Sequence, residues 1–349
     1  MGNDIRNGKS SARISSNNNP AQIFLKTFLI AFVIFVILCT PGLAMFGKVA
    51  DYNPFDPEGE KVVLEEELPV LVDENSPFFE AFQDKKRVNV LLLGVNDGLT
   101  DTIMLVSFDM EAKHVDLISI PRDTYYHREG YNGDAENKIN AAYRNNPLNT
   151  AKAVSEILLG MPINYYAVVD YEGIKNIVDS MGGVPMNIPF HMRYSDPYDK
   201  PPLEIDLPAG YQVLNGDKAV QFLRFRKGSP GYKSYPEGDI GRVKAQQEFV
   251  KSAFRQALGL SLPKVVSTTL ENVDSDIPLG MAAKLAAKAA GLSGEDIQTY
   301  TIPGKSGNKK GLSFWLPDEK GIEELIMQIY GVQPETPEPE QETGGAGTE

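Results

Sequence analysis

The chain has 349 residues, 42% hydrophobic and 23% charged, long enough to bury one large core or two ordinary ones. Its formal net charge of −13 excludes a general nucleic-acid binder, which needs a basic face for phosphate contacts. It leaves room for a phosphorylated ligand held by a local group of arginines inside an acidic protein.

Residues 1–26 carry Arg6, Lys9, Arg13 and Lys26 and lead into TFLIAFVIFVILCTPGLAMF (27–46), an uncharged run long enough to cross a hydrocarbon core as a helix. An acidic stretch follows, with Asp51, Asp56, Glu58, Glu60 and Glu65–Glu67. The positive-inside rule then predicts a single-pass cell-membrane protein with 1–26 cytoplasmic, 27–46 in the bilayer and the rest extracytoplasmic. A cleaved signal peptide would show a shorter apolar core and a clean small-x-small site. Leu38 before Cys39 does not fit a lipoprotein, and Cys39 is the sole cysteine, so the outer part holds together without disulfides. Residues 47–86 read as an acidic, irregular lead-in and 331–349 as a disordered acidic tail.

Between these, residues 87–330 alternate strands with helices. Short apolar runs at 88–94, 102–109 and 114–120 read as strands, 149–160 as a helix capped by Asn149 or Thr150, 163–169 as a strand, and 171–181 as a helix stopped by Gly182-Gly183. After 184–188 comes a loop-rich stretch at 190–210, then helices near 216–223 and 239–258, an alanine-rich helix at 279–290, a strand at 296–302 and a last helix at 317–330. The alternation predicts an α/β class, a mixed central sheet sandwiched between helices.

Four polar clusters stand at element ends. NDGLTDT (96–102) offers Asp97 and Asp101, which suit a hard cation such as Mg²⁺ but equally a simple turn. LISIPRDTYY (117–126) sets Arg122 and Asp123 directly after a buried strand. LRFRKG (223–228) places Arg224 and Arg226 two apart; in an extended segment both point one way while Phe225 packs the other, as an anion site or as a plain basic surface pair. GDIGRVKAQQEFV (238–250) starts a helix at Asp239, its N-cap and a support for Arg242, with Arg242 and Gln246 on one face. His114, His127 and His191 lack metal spacing, and zinc-protease, nucleophile-elbow, phosphate-loop and CxxC motifs are absent from the sequence. Arginines and carboxylates on loops of one domain point to phosphoryl chemistry by positioning and charge neutralisation.

NVLLLG, TDTIMLVSFD, SIPRDTY, KINAAY (138–143), DSMGGV (179–184), LRFR, GDIGRVKAQQ, TYTIPGK and GLSFWLPDE together resemble the LytR–CpsA–Psr (LCP) family over about residues 88–330. The resemblance implies an α/β/α extracytoplasmic domain that transfers a glycopolymer, such as teichoic acid or capsular polysaccharide, from a polyprenyl-pyrophosphate lipid to peptidoglycan. The product is a phosphodiester, made with Mg²⁺. It further implies that Arg122, Arg224, Arg226, Arg242, Gln246 and Lys138 grip the pyrophosphate, with Asp123 and Asp239 in support and Asp101 beside the metal. Where the family shows G-x-D after its first strand, this chain has Gly94-Val95-Asn96-Asp97, so either Asp97 or Asn96 stands in the second metal position. A phosphohydrolase with water as acceptor, or a receptor that holds polyprenyl phosphates without turnover, would use the same residues.

Overall fold

The computed structural model describes residue 74 and residues 76–333, apart from 132, 134, 200, 201, 261 and 310. The expected membrane span at 27–46, the segment before it, most of the lead-in and the tail beyond 333 lie outside the described residues. Among the described residues no helix is long and apolar enough to cross a membrane.

The chain enters through one helical turn, α1 (Phe79–Phe82), flanked by the buried Phe78 and Phe82. Three strands follow, β1 (Arg87–Asn96), β2 (Leu99–Asp109) and β3 (His114–Ser119), paired as an antiparallel meander. Asp97 and Gly98 join β1 to β2 with φ of 48° and 74°. Positive φ at both central positions marks a type I′ hairpin, for which Asp-Gly is well suited. Then come α2 (Pro147–Ile157), β4 (Tyr165–Val169), α3 (Tyr171–Ser180), β5 (Val184–Ile188), β6 (Met192–Asp196), β7 (Leu203–Leu207) and β8 (Gly210–Leu214). The remainder is α4 (Gly216–Arg224), α5 (Asp239–Leu260), α6 (Leu262–Asn272), β9 (Asp274–Ser275), α7 (Leu279–Ala289), β10 (Ile297–Thr301), β11 (Gly304–Lys309), β12 (Leu312–Pro317) and α8 (Glu319–Tyr330).

Six strands form the central sheet in the order β10-β3-β2-β1-β4-β9. β4 runs parallel to β1 and β10 parallel to β3, so the sheet is mixed, as the alternation predicts. Period-2 alternation divides its side chains between two faces. Leu91, Leu93, Ile103, Leu105, Ile118 and Ile120 pack with Val154 of α2 and with Ile322 and Ile326 of α8. Val88, Met104, Phe108, Val115 and Leu117 pack with Val250 and Phe254 of α5 and with Met281 and Leu285 of α7. A third core lies under the β5–β8 and β6–β7 ribbons, where Met186, Ile205 and Leu214 meet Val178 of α3, Phe222 of α4 and Phe249 of α5. The helix α5 therefore serves two cores, and it is pinned over the sheet by Gln247, whose Nε2 donates to Ser119 Oγ (2.9 Å) and to the Tyr300 carbonyl (2.7 Å).

Several expectations are corrected. The helix expected at 149–160 begins earlier, because Asn146 caps it by accepting from Leu148 N and Pro147 fits the first turn, where an N–H is not required. It ends at Ile157, and the chain then turns through Leu159 and Gly160 at φ of 55° and 88°. The stretch expected as loop at 190–210 contains β6 and β7; in LEIDL the buried Leu203, Ile205 and Leu207 alternate with exposed Glu204 and Asp206, the pattern of a half-buried strand. β8, α6 and the β11–β12 hairpin add elements that the apolar runs alone did not announce.

Candidate functional site

Register places Asp101. In the β1–β2 ladder Gly94 pairs with Thr102 and Val95 with Thr100, so Asp101 is the extra residue of a β-bulge. A bulge turns its side chain out of the regular alternation, a device common beside active sites. Here the Asp101 carboxylate receives Arg122 Nη1 at 2.5 Å on one oxygen and the Tyr171 hydroxyl at 2.7 Å on the other.

Arg122 follows β3 at a tight turn, in which the Pro121 carbonyl accepts from both Thr124 N (2.9 Å) and Thr124 Oγ1 (2.6 Å). The strand is locked on both sides, by β2 and by β10, so the arginine is held at the sheet end by buried backbone. Its bonded carboxylate is Asp101. The neighbouring Asp123 takes Lys138 Nζ at 2.9 Å instead, and its carbonyl accepts from Trp315 N at 3.0 Å. Asp123 supports Arg122 through charge, while Lys138 is already engaged by that carboxylate.

The other arginines come from α4 and α5. The extended geometry expected for LRFR is corrected, since Arg224 is the last residue of α4 and only Phe225, the C-cap, is extended. Phe225 is fully buried, and α4's last turn is held by Gln246 Nε2, which donates to the Leu223 carbonyl at 3.2 Å. Gln246 thus anchors the helix end that carries Arg224. The Arg224 guanidinium lies 4.6 Å from the Tyr171 ring centre and 2.6 Å, by Nη2, from Asp199 Oδ2. Arg242 is 4% exposed, with Nη2 2.8 Å from Asp239 Oδ1. Arg226 is half-exposed, its Nε 3.8 Å from the same oxygen. The expected N-cap role of Asp239 is corrected. It is the first residue inside α5, whose opening carbonyl is that of Gly238, and its carboxylate turns to these two arginines instead of the helix amides.

Arg122, Asp101, Arg242 and Asp239 form one electrostatic unit. Burial acts against the Arg122 charge, but Asp101 above all, then Asp239 and Asp123, outweigh it and raise its pKa. Burial also acts against the Asp101 carboxylate; Arg122, the Tyr171 hydrogen bond and Arg242 overcome it and hold the group below the usual range. For Arg242 burial prevails and lowers the pKa, with Asp239 opposing it and Arg122 adding repulsion. Burial, then Asp101, raises Tyr171, keeping its hydroxyl a donor. Asp97 sits exposed at the hairpin tip and Asn96 pairs with Leu99 at the strand end, so neither is drawn into this unit by the ladder.

Buried polar atoms nearly always find partners. Among the described residues, the side-chain atoms that do not are Arg122 Nε, Arg242 Nε, both Asp239 carboxylate oxygens, the Tyr235 hydroxyl, Thr150 Oγ1 and Asp276 Oδ2. Asp239 and Arg242 form an ion pair whose angles fall short of a hydrogen bond. All but the last two atoms belong to this corner of the molecule, since Tyr235 feels the Arg242 charge and meets the Phe225 ring edge to face. Two buried arginine donors left over beside Arg224 and Arg226 are what an anion would satisfy.

Asp101 also gives a pH prediction. Its folded pKa is depressed, so its contribution is complete above the ordinary carboxylate range and is lost as pH falls through the folded value. The stability advantage of the parent over Asp101→Asn, measured by urea midpoints, should shrink as pH falls below about 4, the ordinary carboxylate pKa. An advantage unchanged across that window contradicts the ionised Asp101–Arg122 pair.

Sequence reasoning missed Tyr171, Tyr235 and Asp199. Tyr171 has a local signal, directly after Asp170, the N-cap of α3, and so at the sheet edge beyond β4. Asp199, in the turn between β6 and β7, has none.

The LytR_cpsA_psr family model matches residues 58–329. The chain belongs to that family. Among the LCP proteins it resembles, the polyisoprenyl-teichoic acid–peptidoglycan teichoic acid transferase TagV of Bacillus subtilis (strain 168) is 27% identical over 231 residues, 63% of this chain and 57% of TagV. The regulatory protein MsrR of Staphylococcus aureus (strain COL) is 29% identical over 232 residues, 63% of this chain and 65% of MsrR. The chain therefore spans less than two thirds of each of these LCP relatives. The crystal structure of B. subtilis TagV matches with a TM-score of 0.59 and 25% identity over 72% of this chain and 100% of that one. The structure of TagT bound to LIIa-WTA shares the LCP fold, with a TM-score of 0.57 and 22% identity over 75% and 95% of the two chains.

Proposed function

We propose that this LCP domain transfers a glycopolymer from a polyprenyl-pyrophosphate lipid to peptidoglycan, forming a phosphodiester. The observation that carries the reading is the pair of orphaned buried guanidinium donors, Arg122 Nε and Arg242 Nε, beside Arg224 and Arg226. The teichoic acid transferase TagV and TagT bound to LIIa-WTA add the substrate class. The reading includes a single-pass anchor at 27–46, supported by its uncharged run and basic N-terminal flank, with the domain outside the cell.

In the proposed step an acceptor sugar hydroxyl attacks the phosphorus that bears the polymer. The new P–O bond forms as the bridging P–O bond to the lipid phosphate breaks, and the bond's electron pair leaves with that phosphate. Arg122 and Arg242, pre-oriented by Asp101 and Asp239, neutralise the negative charge that builds on the phosphate oxygens, while Arg224 and Arg226 hold the pyrophosphate flank. Lys138, bonded to Asp123, adds a further positive charge beside the turn. Asp101, held ionised, is a weak proton acceptor and works by orienting Arg122. The hydroxyl proton is assigned to Asp97, the exposed carboxylate of the β1–β2 tip, where Asn96 rather than Asp97 takes the second metal position.

A Mg²⁺ ion fits this donor set, because each Asp101 oxygen receives one hydrogen bond and keeps a second lone pair, and Mg²⁺ takes one or two carboxylates plus phosphate oxygens. Asp101 would hold it, with Asp97 or Asn96 as second donor, and the ion would supply charge neutralisation at the phosphates. The test is reconstitution of the full chain in lipid with a lipid-linked polymer and peptidoglycan. Covalent polymer on the peptidoglycan supports transfer, whereas polymer phosphate released to water with none attached replaces the reading with a hydrolase.

A further inference from the structure

We infer that the Tyr235 hydroxyl donates a hydrogen bond to the substrate's pyrophosphate, a role outside the residues assigned above. The inference rests on the pyrophosphate reading. Among the described residues this hydroxyl is buried and has no hydrogen-bond partner. A buried tyrosine normally finds one, because a stranded hydroxyl costs stability that a phenylalanine would not. The ring is also fixed and cannot turn to find a partner. Between residues 233 and 237 all but Tyr235 are exposed, so its side chain alone is directed inward there. It meets Phe225 and Phe190 edge to face, with ring centres 5.5 Å away in both cases. A side chain at Gly241 would come within 2.5 Å of the Tyr235 Cβ, so that glycine makes room for the tyrosine against the start of α5. The loop is tied down as well. Gly228 N donates to Ser234 Oγ (3.0 Å), Ser229 N to the Arg193 carbonyl (2.8 Å) and Gly238 N to the Tyr235 carbonyl (3.0 Å).

Its surroundings favour an anion. Arg242 directly follows Gly241, and its charge acts on Tyr235; burial nevertheless raises the tyrosine's pKa, so the phenol stays protonated and a donor. Tyr171, the other tyrosine of this corner, gives its proton to Asp101 at 2.7 Å and has no second one to offer. Asp239, four residues after Tyr235, has two buried acceptor oxygens without a hydrogen bond, and Tyr235 donates to neither. The protein therefore does not satisfy the hydroxyl even where an acceptor lies close in the chain. With Arg122 Nε and Arg242 Nε it makes a third orphaned donor in this corner. A pyrophosphate has more non-bridging oxygens than these donors need. A hydrogen bond to such a charged oxygen is roughly twice as strong as one between neutral groups.

The experiment compares Tyr235→Phe with the parent, because this substitution removes the oxygen and keeps the ring. The detergent-solubilised full chain is titrated calorimetrically with geranyl pyrophosphate, and urea midpoints are measured without ligand. Binding by Tyr235→Phe should be about tenfold weaker, the loss of one hydrogen bond to a charged group. The unliganded variant should be at least as stable as the parent, since no bond within the protein is lost. A hydroxyl with a structural partner would lower the midpoint on removal, so a lower midpoint overturns the inference. Unchanged binding by Tyr235→Phe, in a chain whose binding needs Arg122, overturns the tyrosine's role alone. If the parent itself fails to bind, or Arg122→Ala binds as well as the parent, the pyrophosphate reading falls and this inference with it.

Discussion

Arg122→Ala should abolish polymer attachment in a membrane assay, by at least about a hundredfold in rate, while the domain keeps its fold. The size follows from position. Arg122 is fixed at the end of β3 by a ladder on each side, and its Nε is buried with no partner. A donor held in place at no reorganisation cost is worth far more to a developing charge than one that must swing in from solvent. The fold survives because the Pro121–Thr124 turn is built from backbone and Thr124, and because Asp101 keeps its Tyr171 hydrogen bond when the arginine goes. Arg122→Lys should recover little, since an ammonium is a point charge and cannot bridge Asp101 and a phosphate with one rigid fork. The measurement is polymer attached per unit time, with circular dichroism confirming the fold. Undiminished transfer by a folded Arg122→Ala removes this arginine from the site and overturns the assignment.

The route to that residue also shows what the sequence makes legible. LISIP ends a strand buried on both faces, so whatever follows it is held rigidly at the sheet end, and that much is readable from an apolar run closed by proline. The partner of Arg122 was not readable, because Asp101 reaches it through a β-bulge. A one-residue register shift between Gly94 and Val95 leaves no mark in the hydrophobic pattern. NDG showed the turn chemistry correctly, and the two positive φ values at Asp97 and Gly98 explain why Asp97 ends up exposed at the tip. LRFR was recognised as an arginine pair, but helix and extended backbone meet inside it, and a motif of four residues cannot say where. Tyr171 and Asp199 belong to elements far apart in the chain, joined at Arg224 only by tertiary packing.

Asp239→Asn should lower stability by about 3 kcal/mol, a large effect for one oxygen replaced by nitrogen, because it strands Arg242 as a buried charge. Arg242 has a side chain 5% exposed, its pKa is already pushed down by burial, and Asp239 is the first group that opposes this. An asparagine keeps the shape of residue 239, and the Asp239 carboxylate accepts no hydrogen bond at the helix start, so a loss cannot be assigned to a lost cap. Two further measurements separate a counter-ion from a structural bond. Adding Arg242→Met to Asp239→Asn should recover most of the lost stability, since the orphaned charge leaves with the arginine. Geranyl pyrophosphate should raise the melting temperature of Asp239→Asn more than that of the parent, because the phosphate then supplies the missing anion, and it should have no such effect once Arg242 is methionine. A single variant as stable as the parent, or a double variant less stable than the single one, shows that the Asp239–Arg242 pair is not what holds this charge in the protein.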